Sequence, residues 1–162
     1  RDHAAGWEGV EEMSLTETPI CAWSKWDKRF YNLAVHIASW SKDDSSRVGA
    51  VIVDYKKRIV SVGFNGFPAG VDDSPGDRDR KLRRTVHAEV NALSFAAQSV
   101  EGCTMYVTHA PCANCAAIII QHGVASVFFP EPEEGFLELW GDSYREALSM
   151  FKEAGVYVME MK

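Results

Sequence analysis

Two clusters of His, Cys and Glu, His87-Ala88-Glu89 and Pro111-Cys112-Ala113-Asn114-Cys115, each stand where an extended stretch gives way to a helical pattern. Residues this far apart in the chain meet only if the segments between them pack as elements of one domain. The surrounding pattern supplies those elements. After a capping-box-like start at Ser24 and Asp27, the residues Trp26, Phe30, Leu33, Ala34, Ile37 and Ala38 recur at helical spacing, which predicts an amphipathic helix to about Ser41. Val48–Asp54 and Arg58–Phe64 are apolar and β-branched, and the polar Tyr55-Lys56-Lys57 between them makes a short connection, so the two runs read as an antiparallel hairpin. Residues 65–84 hold Gly66, Pro68, Gly70, Pro75 and Gly76 among many charges and read as a long structured loop. Beyond it the pattern predicts helices near 87–98, 112–122 and 142–154, the last closed by Gly155, with strands near 104–108, 125–129 and 156–161. A hairpin followed by helix-linked strands predicts an α/β fold: a five-stranded mixed sheet with helices on both faces.

At 162 residues and 46% hydrophobic content, the chain supports one domain with a full core. Residues 1–23 show no sustained period and carry Gly6, Gly9 and Pro19, so they read as an arm before a domain spanning 24–162. Residues 1–12 are set aside as an extension, with Met13 an alternative start. Lys and Arg total 17 against 23 Asp and Glu, and a net charge of -6 lacks the broad positive field of a nucleic-acid binder, so a small-molecule partner is expected and nucleic acid is not. The longest strictly apolar run is Ala116 to Ile120, and no basic-then-apolar segment opens the chain. No membrane association is expected, and the cytoplasm is the predicted compartment. The four cysteines, Cys21, Cys103, Cys112 and Cys115, fit a reducing compartment in which a Cys-x-x-Cys pair serves metal or redox chemistry.

His87, Cys112 and Cys115 are candidate zinc ligands. Helix N-termini leave N–H groups unpaired and carry partial positive potential, which favours the thiolates that a metal needs. Two thiolates and one neutral imidazole balance the charge of Zn2+, and tetrahedral zinc then keeps a fourth position for water, the mark of a catalytic rather than a structural site. Glu89, two residues beyond His87, is placed to move protons rather than to ligate: it takes one from the water and delivers protons to a ring nitrogen and a departing amine. A His-x-Glu followed by Pro-Cys-x-x-Cys is the signature of zinc nucleobase deaminases. A closed site with His109 as fourth ligand, or a disulfide between Cys112 and Cys115, are competing readings of the same residues, and neither gives Glu89 a task.

At these motifs, and at Ser41-Lys42-Asp43, Val48-Gly49-Ala50-Val51-Ile52-Val53, Gly63-Phe64-Asn65-Gly66-Phe67-Pro68-Ala69-Gly70, His87-Ala88-Glu89-Val90-Asn91-Ala92 and Tyr106-Val107-Thr108-His109-Ala110-Pro111-Cys112, the chain resembles the deoxycytidylate (dCMP) deaminase branch of the cytidine deaminase superfamily, phage-encoded members included. The resemblance runs from about Trp26 to Lys162. It implies a three-layer α/β/α fold, one catalytic Zn2+ per chain, attack of zinc-activated water on C4 of cytosine, dUMP and ammonia as products, and a homo-oligomer, often a hexamer. It also implies substrate contacts from Asn65, whose amide both donates and accepts, from the backbone of Ala88, and from Lys42 and Ser45 toward the 5′-phosphate. Control by dCTP and dTTP, with Mg2+ accompanying a nucleotide effector, belongs to some relatives. A second, structural zinc site is not expected, because Cys21, Cys103 and the remaining histidines have no metal-like spacing.

The chain departs from the family pattern at Trp40, where many relatives carry a basic residue, and at Asp44, which adds negative charge beside the expected phosphate contacts, so another cation is needed there. Arg78, Arg80, Lys81, Arg83 and Arg84 form the one dense basic stretch, readable as a solvated face or as a phosphate-binding arm. Asn65 also reads as a turn residue before Gly66. Phe136 and Trp140 read either as a base-stacking flap or as ordinary packing or interface residues. Two other functions compete: a related zinc deaminase acting on cytidine, guanine, a riboflavin precursor or tRNA adenosine, and a noncatalytic zinc-stabilised binding module, against which an intact Glu89 argues.

Overall fold

A computed structural model describes residues 22–74 and 76–161. Most of the expected arm, with His3, Met13 and Cys21, and also Pro75, lie outside the described residues. The elements are α1 (Lys25–Ala38), β1 (Gly49–Val53), β2 (Ile59–Phe64), α2 (Arg78–Arg84), α3 (Ala88–Ser94), β3 (Thr104–Val107), α4 (Ala113–Gln121), β4 (Ser126–Pro130), α5 (Glu134–Glu153) and β5 (Tyr157–Met161).

The sheet order is β2-β1-β3-β4-β5. β1 lies antiparallel between β2 and β3, while β3, β4 and β5 run parallel, with α4 and α5 as the crossovers that parallel neighbours require. Side-chain alternation along the strands divides the core in two. Val51, Val53, Tyr106 and Phe128 face α1, whose Phe30, Ala34 and Ile37 form its buried stripe. Ala50, Ile52, Met105, Val107, Val127 and Phe129 face the opposite way, onto α3, α4 and α5. This is the expected three-layer α/β/α architecture.

Two glycines fix how close the layers come. A Cβ on Gly49 in β1 would stand 2.0 Å from the Ala34 carbonyl oxygen in α1, and one on Gly63 in β2 would stand 2.3 Å from the Ala92 nitrogen in α3. Helices on both faces of the hairpin therefore sit nearer the strands than any side chain permits. Trp23, assigned to the arm by its sequence position, is buried against Tyr31 and Phe128.

Three sequence expectations are corrected. Residues 65–84 are not loop throughout, because Asp77 accepts from the Arg80 N–H and caps the additional helix α2. The final helix begins at Glu134 rather than near Asp142, so Phe136 and Trp140 belong to its first turns and not to a flap before it. α3 stops at Ser94, well short of Gln98, where the Phe95 N–H bonds back to the Asn91 carbonyl and the chain turns away.

Candidate active site

His87 is the N-cap of α3 and Cys112 the N-cap of α4, so the chain enters both helices at candidate ligands. Gly63 lets α3 lie directly on β2, and the Asn91 amide donates to the Phe64 carbonyl at 2.7 Å, which fixes the height of His87 and Glu89 above the sheet. α4 is held from the other side, where the Ala113 N–H donates to the Ser143 hydroxyl of α5 at 2.9 Å. The Cys112 sulfur accepts from the Cys115 N–H, which brings both sulfurs to one end of the helix.

The potential ligand atoms of His87, Cys112 and Cys115 lie within 4.8 Å of one another. His87 Nδ1 is 3.6 Å from Cys112 Sγ and 3.2 Å from Cys115 Sγ. Zinc bonds of about 2.3 Å to sulfur and about 2.05 Å to nitrogen at a tetrahedral angle place those donors roughly 3.6 Å apart, so this donor set fits a zinc ion. Both thiols are free rather than joined. The Cys112 thiol is drawn well below its ordinary range, chiefly by its hydrogen bond with Cys115 and also by His87, against the effect of burial. That is the ionised form a metal takes up. His109 lines the same cavity, but it is not part of the ligand group, and its Nδ1 faces Thr108 Oγ1 at 3.3 Å. Burial holds the His109 imidazole below its usual pKa.

Glu89 is 4% exposed. Burial pushes its carboxyl up to about 7, while its own backbone N–H and the neighbouring His87 pull the other way. A carboxyl with such a proton affinity gains and loses a proton near neutrality, the property a group needs to act as base and then as acid.

These groups open on a cavity of about 820 Å³. Among the residues with expected substrate contacts, Asn65, Ala88 and Ser45 line it. Asn65 is buried, its Oδ1 accepting from the Val48 N–H and its Nδ2 donating to the Ser46 carbonyl, both at 2.8 Å. It therefore clamps the loop before β1 and retains one further N–H. Lys42 does not line the cavity; its ammonium pairs with Asp73 at 3.1 Å on an exposed surface. From α2, by contrast, Arg78, Lys81 and Arg83 do line it, and α5 contributes Phe136, Trp140, Ser143 and Tyr144. α2 carries its own sequence signals, an Asp N-cap and the Asp79–Arg83 pair at i,i+4 spacing.

An imidazole and two thiols gathered at paired helix starts beside a buried carboxylate, on a three-layer α/β/α frame, define the class of zinc-dependent deaminases. The sequence model of the cytidine and deoxycytidylate deaminase zinc-binding region matches residues 24–131, well over half of the chain, and the chain belongs to that family. It is 52% identical over 137 residues to an uncharacterized deaminase of Aliivibrio fischeri, covering 83% of this chain and 92% of that one. Against the deoxycytidylate deaminase of Mus musculus the identity is 41% over 114 residues, covering 65% of this chain and 64% of the mouse protein. This chain thus spans under two thirds of the mouse enzyme's length. The fold is similar to the apo crystal structure of the dCMP deaminase from cyanophage S-TIM5, with a TM-score of 0.67 and 25% identity over 83% of this chain and 96% of that one. Among the described residues, no helix is long and apolar enough to cross a membrane.

Proposed function

We propose that this chain is a zinc-dependent deoxycytidylate deaminase that hydrolyses dCMP to dUMP and ammonia. The carrying observation is the buried Glu89 beside the His87, Cys112 and Cys115 group at the wall of a cavity of about 820 Å³. Family membership and the likeness to deoxycytidylate deaminases support the choice of substrate.

His87, Cys112 and Cys115 would hold a zinc ion, which would supply the Lewis acidity that activates water near neutral pH. Glu89 takes the proton lost by the attacking water and hands it to N3 of the cytosine as the new C4–O bond forms. A second transfer through the same carboxyl moves the proton of the new C4 hydroxyl to the C4 amine. The C4–N bond then breaks, ammonia leaves, and the C4 carbonyl of uracil remains. Ala88 presents its backbone to the pyrimidine from the first turn of α3, and the spare N–H of Asn65 is directed to the sugar. Ser45 belongs to the phosphate end; the family pattern puts Lys42 of the same loop there too, but its ammonium is turned to Asp73 outside the cavity.

By the same resemblance the working form is a homo-oligomer, a hexamer in the family pattern, acting in the cytoplasm on a small nucleotide and not on nucleic acid. An Mg2+–nucleotide effector is part of this reading if the enzyme is regulated. The experiment that tests the reading is steady-state deamination of dCMP, CMP and deoxycytidine, followed by ultraviolet absorbance, with and without dCTP. The expected result is the highest kcat/KM for dCMP. Equal turnover of deoxycytidine, or preference for another amino-bearing base, overturns it.

A further inference from the structure

A monophosphate needs a fixed cation. Lys42 is turned toward Asp73 with its side chain 88% exposed, so it is poorly placed to supply one. The cavity has another candidate on α2, the helix hidden in the glycine- and proline-rich stretch of the sequence. The Lys81 ammonium lies 2.7 Å from Asp43 Oδ1 and 3.1 Å from the Ser45 hydroxyl. Its side chain is 31% exposed, against 77% for that of Arg83, which is paired with Asp79. An ammonium has three donors, and these two contacts leave one without a partner among the described residues.

Asp43 cannot swing away with the lysine. Its Oδ1 also accepts the N–H groups of Ser45 at 2.7 Å and Ser46 at 2.9 Å, so the carboxylate is pinned to the loop between α1 and β1. Burial raises the Asp43 pKa, but Lys81 and these two N–H groups outweigh it and hold the carboxyl below its ordinary value. The carboxylate is thus a fixed anchor that brings the Lys81 ammonium beside the Ser45 hydroxyl at the cavity wall. Arg78 and Arg83 line the same wall and add positive potential in a molecule whose overall charge is -6.

We propose that Lys81, oriented by Asp43 and working with Ser45, reads the 5′-phosphate of the nucleotide and so sets selectivity for monophosphate over nucleoside. The proposal rests on the nucleotide reading of the cavity given above. A compact ammonium suits a phosphate monoester as a point charge, and the neighbouring hydroxyl donates to a second oxygen.

The test uses the zinc-loaded enzyme and the variants Lys81→Met and Lys81→Arg, each checked for zinc content and melting temperature. The readout is the ratio of kcat/KM for dCMP to that for deoxycytidine, together with calorimetric binding of dUMP against deoxyuridine. In Lys81→Met the ratio should fall roughly 10- to 100-fold, the range of one charge-assisted hydrogen bond. Lys81→Arg should recover part of it, and the salt dependence of the dCMP KM should flatten in Lys81→Met. An unchanged ratio, or equal losses on both substrates, overturns the assignment. If the wild-type enzyme deaminates no cytosine nucleotide, the proposed function fails on its own. dUMP binding then decides Lys81 separately: loss of binding in Lys81→Met upholds the assignment, and equal binding or none in the wild type rejects it.

Discussion

Glu89 shows how much chemistry one side chain draws from its position. A carboxyl at 4% exposure would be costly if it had to remain charged, and burial accordingly pushes its pKa up to about 7. It occupies the first turn of α3, two residues from His87, so the same helix start presents both a candidate ligand and the proposed proton carrier. Glu89→Gln keeps the shape and hydrogen-bonding reach while removing the exchangeable proton. Turnover of dCMP should fall by at least ~10²-fold, the usual contribution of general acid–base catalysis, with zinc still bound at one ion per chain. Absorbance assays paired with metal analysis check both halves. Near-normal turnover in that variant would remove the proton-shuttle role, and loss of zinc would make Glu89 a ligand.

The elements differ in how openly the sequence displays them, and burial explains most of the difference. β1 and β2 announce themselves because β1 is buried along its whole length and the two share a short polar connection. α2 buries none of its residues, so it has no apolar stripe to reveal, and its charges read as solvated loop. The first turns of α5 are masked in the same way: Leu137, Leu139 and Trp140 are exposed there, and Pro130 and Pro132 suggest a break where the helix in fact starts after Glu133. The metal-type cluster was legible because it is local to two helix starts. The cavity wall was not, because Lys81, Ser143 and Trp140 come from segments whose approach only the assembled fold determines. Gly63 makes that dependence measurable. An added methyl would press on Ala92 N and Ala88 O, both backbone atoms that cannot rotate aside. Gly63→Ala should therefore cost about 1–3 kcal/mol of stability, as overpacking does. By lifting α3 it should also depress activity more than the stability loss explains. Urea unfolding and kcat/KM on the folded protein separate the two effects, and unchanged activity at reduced stability would mean that α3 tolerates the shift.

At the scale of the whole molecule, a zinc ion held by His87, Cys112 and Cys115 would tie together α3 and α4, two helices that also pack directly on each other in one buried cluster. α3 packs chiefly over the hairpin, while α4 follows β3 and packs against α5. The ligand group spans the seam between them, His87 from one side and Cys112 and Cys115 from the other. An ion that binds the folded but not the unfolded chain stabilises it by mass action, by about 4 kcal/mol when free metal stands 1,000-fold above its Kd. For a domain of this length each kcal/mol is worth roughly 2–4 °C in Tm, so stripping the metal with a chelator should lower Tm by about 10 °C. The apoprotein should keep its α/β circular dichroism at room temperature, since the two buried clusters on either face of the sheet do not depend on the ion. Cys112→Ser should begin at the lower Tm and respond little to chelator. Scanning fluorimetry on both proteins, with zinc removal verified by elemental analysis, makes the comparison. If Tm stayed the same after verified loss of zinc, the seam would be closed by packing alone and the ion would serve only the chemistry.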